Sequence, residues 1–290
     1  MADTVTLVEV GPRDGLQNEP AFLPTETKLE LIARLAACGF RRIEATAFVS
    51  PRWVPQMADH ETVMRSLPEV PGLRYSALVP NLKGAESAIA AGTKELAVFT
   101  AASESFCSRN INCTIAGSLT RFEPILALAE KHDIPVRGYI SCVTDCPYEG
   151  PIAPGAVAQV AGALRDLGCY EIALGETLGR ATPERVGAML DAVMAVIPAE
   201  GLAGHYHDTH GYALDSIALS WRRGLRVFDG AVGGLGGCPY APGASGNVAT
   251  EAVVRRFDQL DVDTGIAVVA LEETATWMKE QRARACVQRR

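Results

Sequence analysis

The sequence has no uninterrupted apolar run of about 18 residues, the length that a helix needs to cross a bilayer. It also shows no charged N-terminal segment followed by a long apolar stretch, so we expect no secretory signal. Basic residues are the minority, 27 against 34 acidic ones, and the formal net charge is −7. This balance argues against nucleic acid and anionic membranes as partners, because both favour a basic surface.

The eight cysteines form no CxxC pair and are irregularly spaced, so the sequence lacks the pattern of a disulfide framework. Reduced thiols of this kind are typical of a cytoplasmic enzyme. Hydrophobic residues make up 48% of the chain, which is sufficient for a large core. The length of 290 residues is close to the ~250 of one α/β barrel, although it also allows two smaller domains.

Short apolar segments alternate with longer amphipathic ones, and Gly or Pro stands at most of the junctions. The short segments are predicted strands: Val5–Val10, Arg42–Thr46, Arg74–Val79, Glu95–Thr100, Pro135–Ser141, Glu171–Leu174, Ala203–His207 and Val227–Ala231. The amphipathic segments are predicted helices: Thr25–Cys38, His60–Leu67, Leu82–Ala91, Thr120–His132, Pro154–Leu167, Pro183–Val196, Ala213–Arg223 and Val248–Leu260.

Eight strand–helix units predict a closed (β/α)8 TIM barrel of the α/β class, because consecutive parallel strands are joined by right-handed crossovers. The barrel is expected over about residues 4–260, with a C-terminal helical extension over about residues 261–290. We expect residues 1–290 to form a single catalytic domain. An open doubly wound sheet is the alternative, but no GxGxxG motif opens a helix after the first predicted strand.

Reactive side chains fall where the predicted strands end, which in a barrel is the edge that carries the active site. They are Arg13 and Asp14 after the first strand, Glu44 in the second, Glu176 after the sixth, His205 and His207 in the seventh, and Cys238 after the eighth. Arg13 is expected to stabilise a developing oxyanion. Glu44 is expected to hold Arg13 through a bidentate contact.

His205 and His207 are two residues apart in a predicted strand, so both imidazoles point to one side and Tyr206 to the other. Two histidines on one face at the barrel mouth predict a site for one divalent ion. Asp14 is a third candidate ligand and Asn247 a fourth. This set of nitrogen and oxygen donors suits Mg²⁺ or Mn²⁺, with catalytic zinc as the alternative.

The segment from Gly236 to Asn247, here called the Cys238 loop, is too rich in Gly, Pro and small residues for a helix or a strand interior. It nevertheless carries a thiol, and such a loop is typical of a segment that holds reactive atoms in place. The alternative for the loop is a plain connection with a buried thiol. The alternatives for the whole protein are a metal-independent thiol hydrolase or thioesterase that uses Cys238 with a histidine, and a binding protein without catalytic activity.

Six segments together resemble hydroxymethylglutaryl-CoA lyases (HMG-CoA lyases), within the wider superfamily of metal-dependent TIM-barrel lyases and synthases. The segments are EVGPRDGLQNE (9–19), SPRWVPQ (50–56), NINC (110–113), CPYEG (146–150), HYHDTHG (205–211) and GGCPYA…GNVATE (236–251). The resemblance runs in order from about Val5 to Glu251, and the Cys238 loop is its most specific part. Related condensing synthases share the Arg-Asp, Glu and HxH elements but normally lack this loop.

The resemblance implies a divalent-metal-dependent carbon–carbon lyase that cleaves 3-hydroxy-3-methylglutaryl-CoA to acetyl-CoA and acetoacetate. The implied metal ligands, for Mg²⁺ or Mn²⁺, are Asp14, His205, His207 and Asn247. Arg13 would stabilise an enolate and Glu44 would position Arg13. Proton transfer is implied for Cys238, with Asp14 and His205 as further candidates.

The remaining implications concern binding and assembly. Glu251 would support the active site by hydrogen bonding, and Arg109 and Asn110 would contact CoA. A homodimer is implied as well.

One position departs from the family pattern, since Gly175-Glu176-Thr177 stands where the family usually has Gly-Asp-Thr. The additional methylene of Glu176 moves the carboxylate by roughly an ångström, which would reshape the acyl pocket or the surroundings of the ion. A lyase for a longer 3-hydroxy-3-alkylglutaryl-CoA is therefore an alternative function, as is a Claisen-type acyl-CoA condensing synthase.

Overall fold

Eight parallel strands close into a barrel in which each strand pairs with its neighbours in the sequence and the last pairs with the first. This computed structural model describes residues 3–238 and 241–288, and for residues 237, 238, 241–245 and 288 it describes the backbone only. The barrel strands are β1 Thr6–Glu9, β2 Arg42–Ala47, β3 Arg74–Leu78, β4 Glu95–Ala101, β5 Val136–Ser141, β6 Glu171–Glu176, β7 Leu202–Tyr206 and β8 Val227–Gly230. The predicted (β/α)8 TIM barrel is confirmed, and each predicted strand is present with its ends shifted by at most two residues.

Helices cover the outside of the barrel. They are α1 Thr25–Ala37, α2 His60–Ser66, α3 Leu82–Ala90, α4 Glu104–Ile111, α5 Ile115–Lys131, α6 Pro154–Asp166, α7 Pro183–Met194, α8 Ala213–Arg222, α9 Thr250–Asp258 and α10 Val268–Gln288. None of the helices in the described residues combines the length and the apolar character that a bilayer crossing requires. The C-terminal helix expected from the sequence is α10, which packs against α1 and the turn Val232–Gly234.

Two of the differences between the predicted and the observed helices have a local reason. Helix α4 was not predicted. It begins after Ser103, whose hydroxyl accepts a hydrogen bond from the Phe106 N–H at 3.1 Å. The next helix begins at Ile115 rather than Thr120 because the Thr114 hydroxyl accepts from the Gly117 N–H at 3.0 Å. Side-chain caps can start a helix where the apolar periodicity is weak.

Charged side chains, rather than apolar ones alone, occupy the interior of the barrel. Arg137 on β5 is 1% exposed and donates to Glu171 Oε1 at 2.6 Å and to both oxygens of Asp229 at 2.8 and 3.0 Å. Arg42 donates to both oxygens of Glu171 at 3.0 Å and to Glu95 at 2.9 Å. These ion pairs, here called the barrel network, join β2, β4, β5, β6 and β8 across the barrel axis.

Glu9 at the end of β1 joins three segments that surround the barrel mouth. It is fully buried, and its Oε1 accepts from the N–H groups of Gly11 at 2.8 Å and Val232 at 2.9 Å. Its Oε2 accepts from the Thr250 hydroxyl at 2.8 Å. A Cβ at Gly11 would lie 2.5 Å from Glu9 Oε1, so this close approach requires glycine. The turn after β1 is thereby attached to the turn after β8 and to the start of α9.

Burial raises the pKa of Glu9 to about 8, against the opposing effect of its hydrogen bonds to Val232 and Thr250. In an unfolded chain a glutamate titrates near ~4.3, so between about pH 4.5 and 8 the folded state binds more protons at this position. The contribution of Glu9 to the free energy of unfolding is therefore complete below that range and is lost as the pH rises through it. We expect Glu9→Gln, which imitates the protonated acid, to lose less stability than the wild type between pH 5 and pH 8.

Urea unfolding of both proteins at several pH values measures this difference. Glu200→Gln, at an exposed side chain, is the matched control and should follow the wild type. Parallel pH profiles for Glu9→Gln and the wild type would contradict the assignment.

Candidate active site

The turn after β1 places Arg13 and Asp14 at the barrel mouth. It is one wide helical turn, Gly11–Gly15, in which the N–H groups of Arg13, Asp14 and Gly15 all donate to the Val10 carbonyl at 2.8 to 3.2 Å. A Cβ at Gly15 would lie 2.6 Å from the Leu235 Cβ, so the turn can pack against the chain that leads into the Cys238 loop only with glycine there.

Three of the predicted metal ligands come together in space. One ligand atom from each of Asp14, His205 and His207 lies within 4.8 Å of the other two. The two imidazole rings are 5.6 Å apart between centroids, on the same side as predicted. Tyr206 points the other way, and its hydroxyl lies 2.9 Å from the Ser220 hydroxyl in α8.

Asn247, the last residue of the Cys238 loop, completes this group. Its Nδ2 donates to Asp14 Oδ2 at 2.7 Å and to the Leu235 carbonyl at 3.2 Å, and its backbone pairs with that of His207. The structure thus brings all four predicted ligands to one place.

The protonation states of these groups suit a cation site. Burial and the neighbouring His205 lower the pKa of His207 to about 4, so its ring is neutral at neutral pH and offers a lone pair. His207 Nδ1 is buried and has no hydrogen-bond partner among the described residues. Burial would raise the pKa of Asp14, but Arg13 and the two histidines outweigh it and lower the pKa to about 2. A carboxylate, two imidazoles and an amide form a donor set that fits a divalent ion.

Arg13 is held in place by carboxylates on two sides. Its Nε contacts Glu44 Oε1, and its Nη1 donates to Asp14 Oδ1 at 2.6 Å. Burial would lower the pKa of Arg13, but Glu44 and Asp14 raise it above its ordinary value, so the guanidinium stays charged. The second oxygen of Glu44 accepts from the Tyr139 hydroxyl at 3.1 Å, so the expected bidentate contact with Arg13 was wrong in detail.

His205 has a buried partner that the sequence analysis missed. Its Nδ1 lies 3.0 Å from Asp229 Oδ2, and Asp229 belongs to the barrel network through Arg137. Burial would raise the pKa of Asp229, but Arg137 and His205 hold it well below the usual range. The signal in the sequence was a charged residue inside each of two short apolar segments, Val136–Ser141 and Val227–Gly230.

A cavity of about 660 Å³ opens above this group. Its floor includes Arg13, Asp14, His205, His207 and Asn247. Arg109 and Asn110, predicted as CoA contacts, lie in its wall, and the Arg109 guanidinium stacks 4.4 Å from the Tyr148 ring centroid. The wall thus carries a positive charge as well.

The three other predicted site residues are not among the described residues that line the cavity. The backbone of Cys238 pairs with Ala241 in a short hairpin, whereas its side chain lies outside the described part of the chain. Glu251 Oε2 accepts from the Gly233 N–H at 3.0 Å, at the base of the Cys238 loop. Glu176 is buried, accepts from the Thr144 hydroxyl at 3.2 Å, and is not among the residues that line the cavity, although Gly175 and Thr177 are.

Comparisons with known proteins agree with this geometry. Residues 4–278 match the model of the HMGL-like family. The mitochondrial hydroxymethylglutaryl-CoA lyase of Arabidopsis thaliana is 54% identical over 262 residues, which is 90% of this chain but 56% of that relative. The chain therefore spans little more than half the length of this relative.

Solved structures match over nearly the whole chain. The HMG-CoA lyase of Brucella melitensis superposes with a TM-score of 0.96 at 54% identity, covering 97% of this chain and 100% of that one. An HMG-CoA lyase from Acinetobacter baumannii, solved in complex with coenzyme A and 3-methylmalate, has a TM-score of 0.92 at 36% identity and covers 97% and 92%. The chain belongs to the HMGL-like family, as the resemblance of its motifs to HMG-CoA lyases predicted.

Proposed function

We propose that the protein is a divalent-metal-dependent carbon–carbon lyase that cleaves 3-hydroxy-3-methylglutaryl-CoA to acetyl-CoA and acetoacetate. The observation that carries this proposal is the approach of Asp14, His205 and His207 to within 4.8 Å of one another, beside Arg13, on the floor of one cavity. The names of the relatives support the same activity.

In this proposal Asp14, His205, His207 and Asn247 would hold Mg²⁺ or Mn²⁺. The bound ion supplies a Lewis acid that acidifies the C3 hydroxyl of the substrate. Cleavage also requires a base that takes the proton of the C3 hydroxyl, and we assign this step to Asp14 or to a water molecule beside it.

Arg13 stabilises the charge that bond cleavage creates. Breaking the C2–C3 bond gives acetoacetate and leaves the enolate of acetyl-CoA, whose oxygen carries negative charge. The contacts of Arg13 Nε with Glu44 and of Nη1 with Asp14 fix the plane of the guanidinium. A preorganised donor of this kind costs no reorganisation when the charge develops.

Cys238 is proposed to give the proton that converts the enolate to acetyl-CoA, with His205 as the alternative donor. The Cys238 loop closes over the substrate and excludes water, which protects the enolate from competing protonation. Glu251 supports this loop by accepting from Gly233 at its base. Gly233, Gly234 and Gly236 have positive φ, a conformation that favours glycine at the start of this loop.

The proposal extends to binding and assembly. Arg109 and Asn110 in the cavity wall contact the CoA part of the substrate, a role supported by the relative solved with coenzyme A. We further propose a single catalytic domain over residues 1–290, a homodimer, and a cytoplasmic location. The free thiols in the described residues suit a reducing compartment.

A lyase for a longer 3-hydroxy-3-alkylglutaryl-CoA is the second candidate, and Glu176 is the observation that favours it. Against this reading, Glu176 points away from the cavity toward Thr144. Its recorded link to the proposed metal ligands is through its backbone, since the Glu176 carbonyl accepts from the His207 N–H at 3.1 Å.

We expect the purified protein to release acetyl-CoA and acetoacetate from 3-hydroxy-3-methylglutaryl-CoA when Mg²⁺ or Mn²⁺ is present, and to stop when EDTA is added. Mass spectrometry of both products, in thiol reductant, measures the reaction. Undiminished turnover in EDTA would contradict the metal dependence. A protein that binds Mn²⁺ but leaves this substrate intact would contradict the substrate assignment.

We expect Cys238→Ser to lose about 10²- to 10⁴-fold in kcat, the range that a positioned proton donor contributes. Cys286→Ser is the matched control, because Cys286 is an exposed free thiol on α10, outside the cavity lining. Single-substrate kinetics of both variants make the comparison. Equal rates for Cys238→Ser and the wild type would remove this thiol from the mechanism.

We expect Glu176→Asp to change the preference between 3-hydroxy-3-methylglutaryl-CoA and a longer 3-alkyl homologue by less than about threefold, because the side chain does not line the cavity. The measurement is the ratio of kcat/KM values for the two substrates in each protein. A shift of tenfold or more would show that Glu176 sets the acyl-chain length.

A further inference from the structure

Asp229 is a buried carboxylate that touches a proposed metal ligand without belonging to the ligand group. We propose that Asp229 is a positioning residue for the metal site, which fixes the ring and the tautomer of His205 so that Nε2 faces the ion. The proposal rests on the metal site of the proposed function. It concerns the geometry of one ligand and does not depend on which acyl-CoA is cleaved.

The two nitrogens of His205 face different partners. Nδ1 lies 3.0 Å from Asp229 Oδ2, whereas Nε2 lies 4.0 Å from Asp14 Oδ2, on the side of the ligand group. A carboxylate only accepts, so the short contact with Asp229 places the ring proton on Nδ1. A neutral imidazole has one N–H, which leaves the lone pair on Nε2 for a metal.

The strand register places these two residues side by side. In the pairing of β7 with β8, Ala203 lies opposite Val227 and Gly204 opposite Phe228. His205 and Asp229 are the next residues along each strand, so they stand at the same level of the barrel and both point to its interior. Two rigid strands thus hold the contact, with no loop involved.

Asp229 cannot turn away from His205, because Arg137 holds it from below. Arg137 Nη1 donates to Asp229 Oδ2 at 3.0 Å and Nη2 donates to Oδ1 at 2.8 Å. Nη1 also donates to the Tyr139 hydroxyl at 2.6 Å, and Tyr139 lies edge-on to the His205 ring at 5.8 Å between centroids. The plane of the carboxylate and the position of the imidazole are therefore set together.

A purely structural role for Asp229 is the competing explanation, and the barrel network offers a matched control for it. Glu171 is also a buried carboxylate that accepts from Arg137, at 2.6 Å, and it additionally pairs with Arg42. Its contacts lead away from His205. Asp229→Asn and Glu171→Gln each remove one negative charge from the same network with little change in shape, but only the first alters a contact with a proposed ligand.

The test is Mn²⁺ affinity, measured by electron paramagnetic resonance titration of the wild type and both variants, alongside thermal unfolding. We expect both variants to unfold at lower temperature than the wild type. We expect only Asp229→Asn to lose affinity for Mn²⁺, by about 10- to 100-fold, the range observed for second partners of ligand histidines. The apparent activation constant of Asp229→Asn for Mn²⁺ should be raised, whereas its kcat at saturating Mn²⁺ should return toward the wild-type value.

Equal Mn²⁺ affinity for Asp229→Asn and the wild type would overturn the proposal, as would an equal loss in Glu171→Gln. If Asp229→Asn does not fold, nitrogen NMR of the metal-free wild type at pH 8 decides instead. The proton of His205, assigned with His205→Gln, should reside on Nδ1, and a proton on Nε2 would overturn the proposal.

These outcomes separate this proposal from the proposed function. A wild type that binds Mn²⁺ but does not cleave 3-hydroxy-3-methylglutaryl-CoA refutes the substrate and leaves the role of Asp229 to be decided by the affinities. A wild type without Mn²⁺ affinity overturns both.

Discussion

The bidentate pair between Arg137 and Asp229 is the interaction on which the rest of this structure depends. It lies inside the barrel, with both side chains almost inaccessible to solvent, and connects the charged interior to the imidazole of His205. Removing one partner of a buried ion pair costs about 3–5 kcal/mol, a large part of the roughly 5–15 kcal/mol that stabilises a typical domain. Such a pair persists only where both partners and their hydrogen bonds are complete.

The charged side chains at the floor of the cavity are also held by fixed partners. Asp14 carries the only negative charge that the floor of the cavity presents among the described lining residues, and three donors satisfy it: Arg13, Gln17 and Asn247. Glu44 neutralises Arg13 from the other side and is itself held by Tyr139. The charges of Arg13 and Asp14 are therefore each held by fixed partners, so the electrostatic field at the floor of the cavity is set before a substrate arrives.

Residue spacing correctly predicted positions that depend on one strand alone. It did not predict contacts between residues from strands that are distant in the sequence. The alternation of a strand was enough to place His205 and His207 on one side, and the strand ends were enough to place Arg13 and Asp14 at the mouth. Asp229 and Arg137 were missed because each looks like an isolated charge in its own segment, and only barrel closure brings β5 and β8 within reach of each other. Helix α4 was not predicted because it begins at a side-chain cap, Ser103, and not at the start of an apolar periodicity.

At position 176 this chain has Glu where the family usually has Asp, and the effect of that difference depends on where the side chain points. The sequence alone suggested that the additional methylene would reshape the acyl pocket. In the fold, odd-numbered residues of β6 face the interior, where Glu171 meets Arg137, and Gly175 reaches the cavity, whereas Glu176 points outward to Thr144. On the outer face the longer side chain reaches the Thr144 hydroxyl, whereas a longer side chain on the inner face would meet the barrel network. The alternation of side chains along a strand thus explains both the contact of His205 with Asp229 and the position of the Glu176 carboxylate outside the cavity.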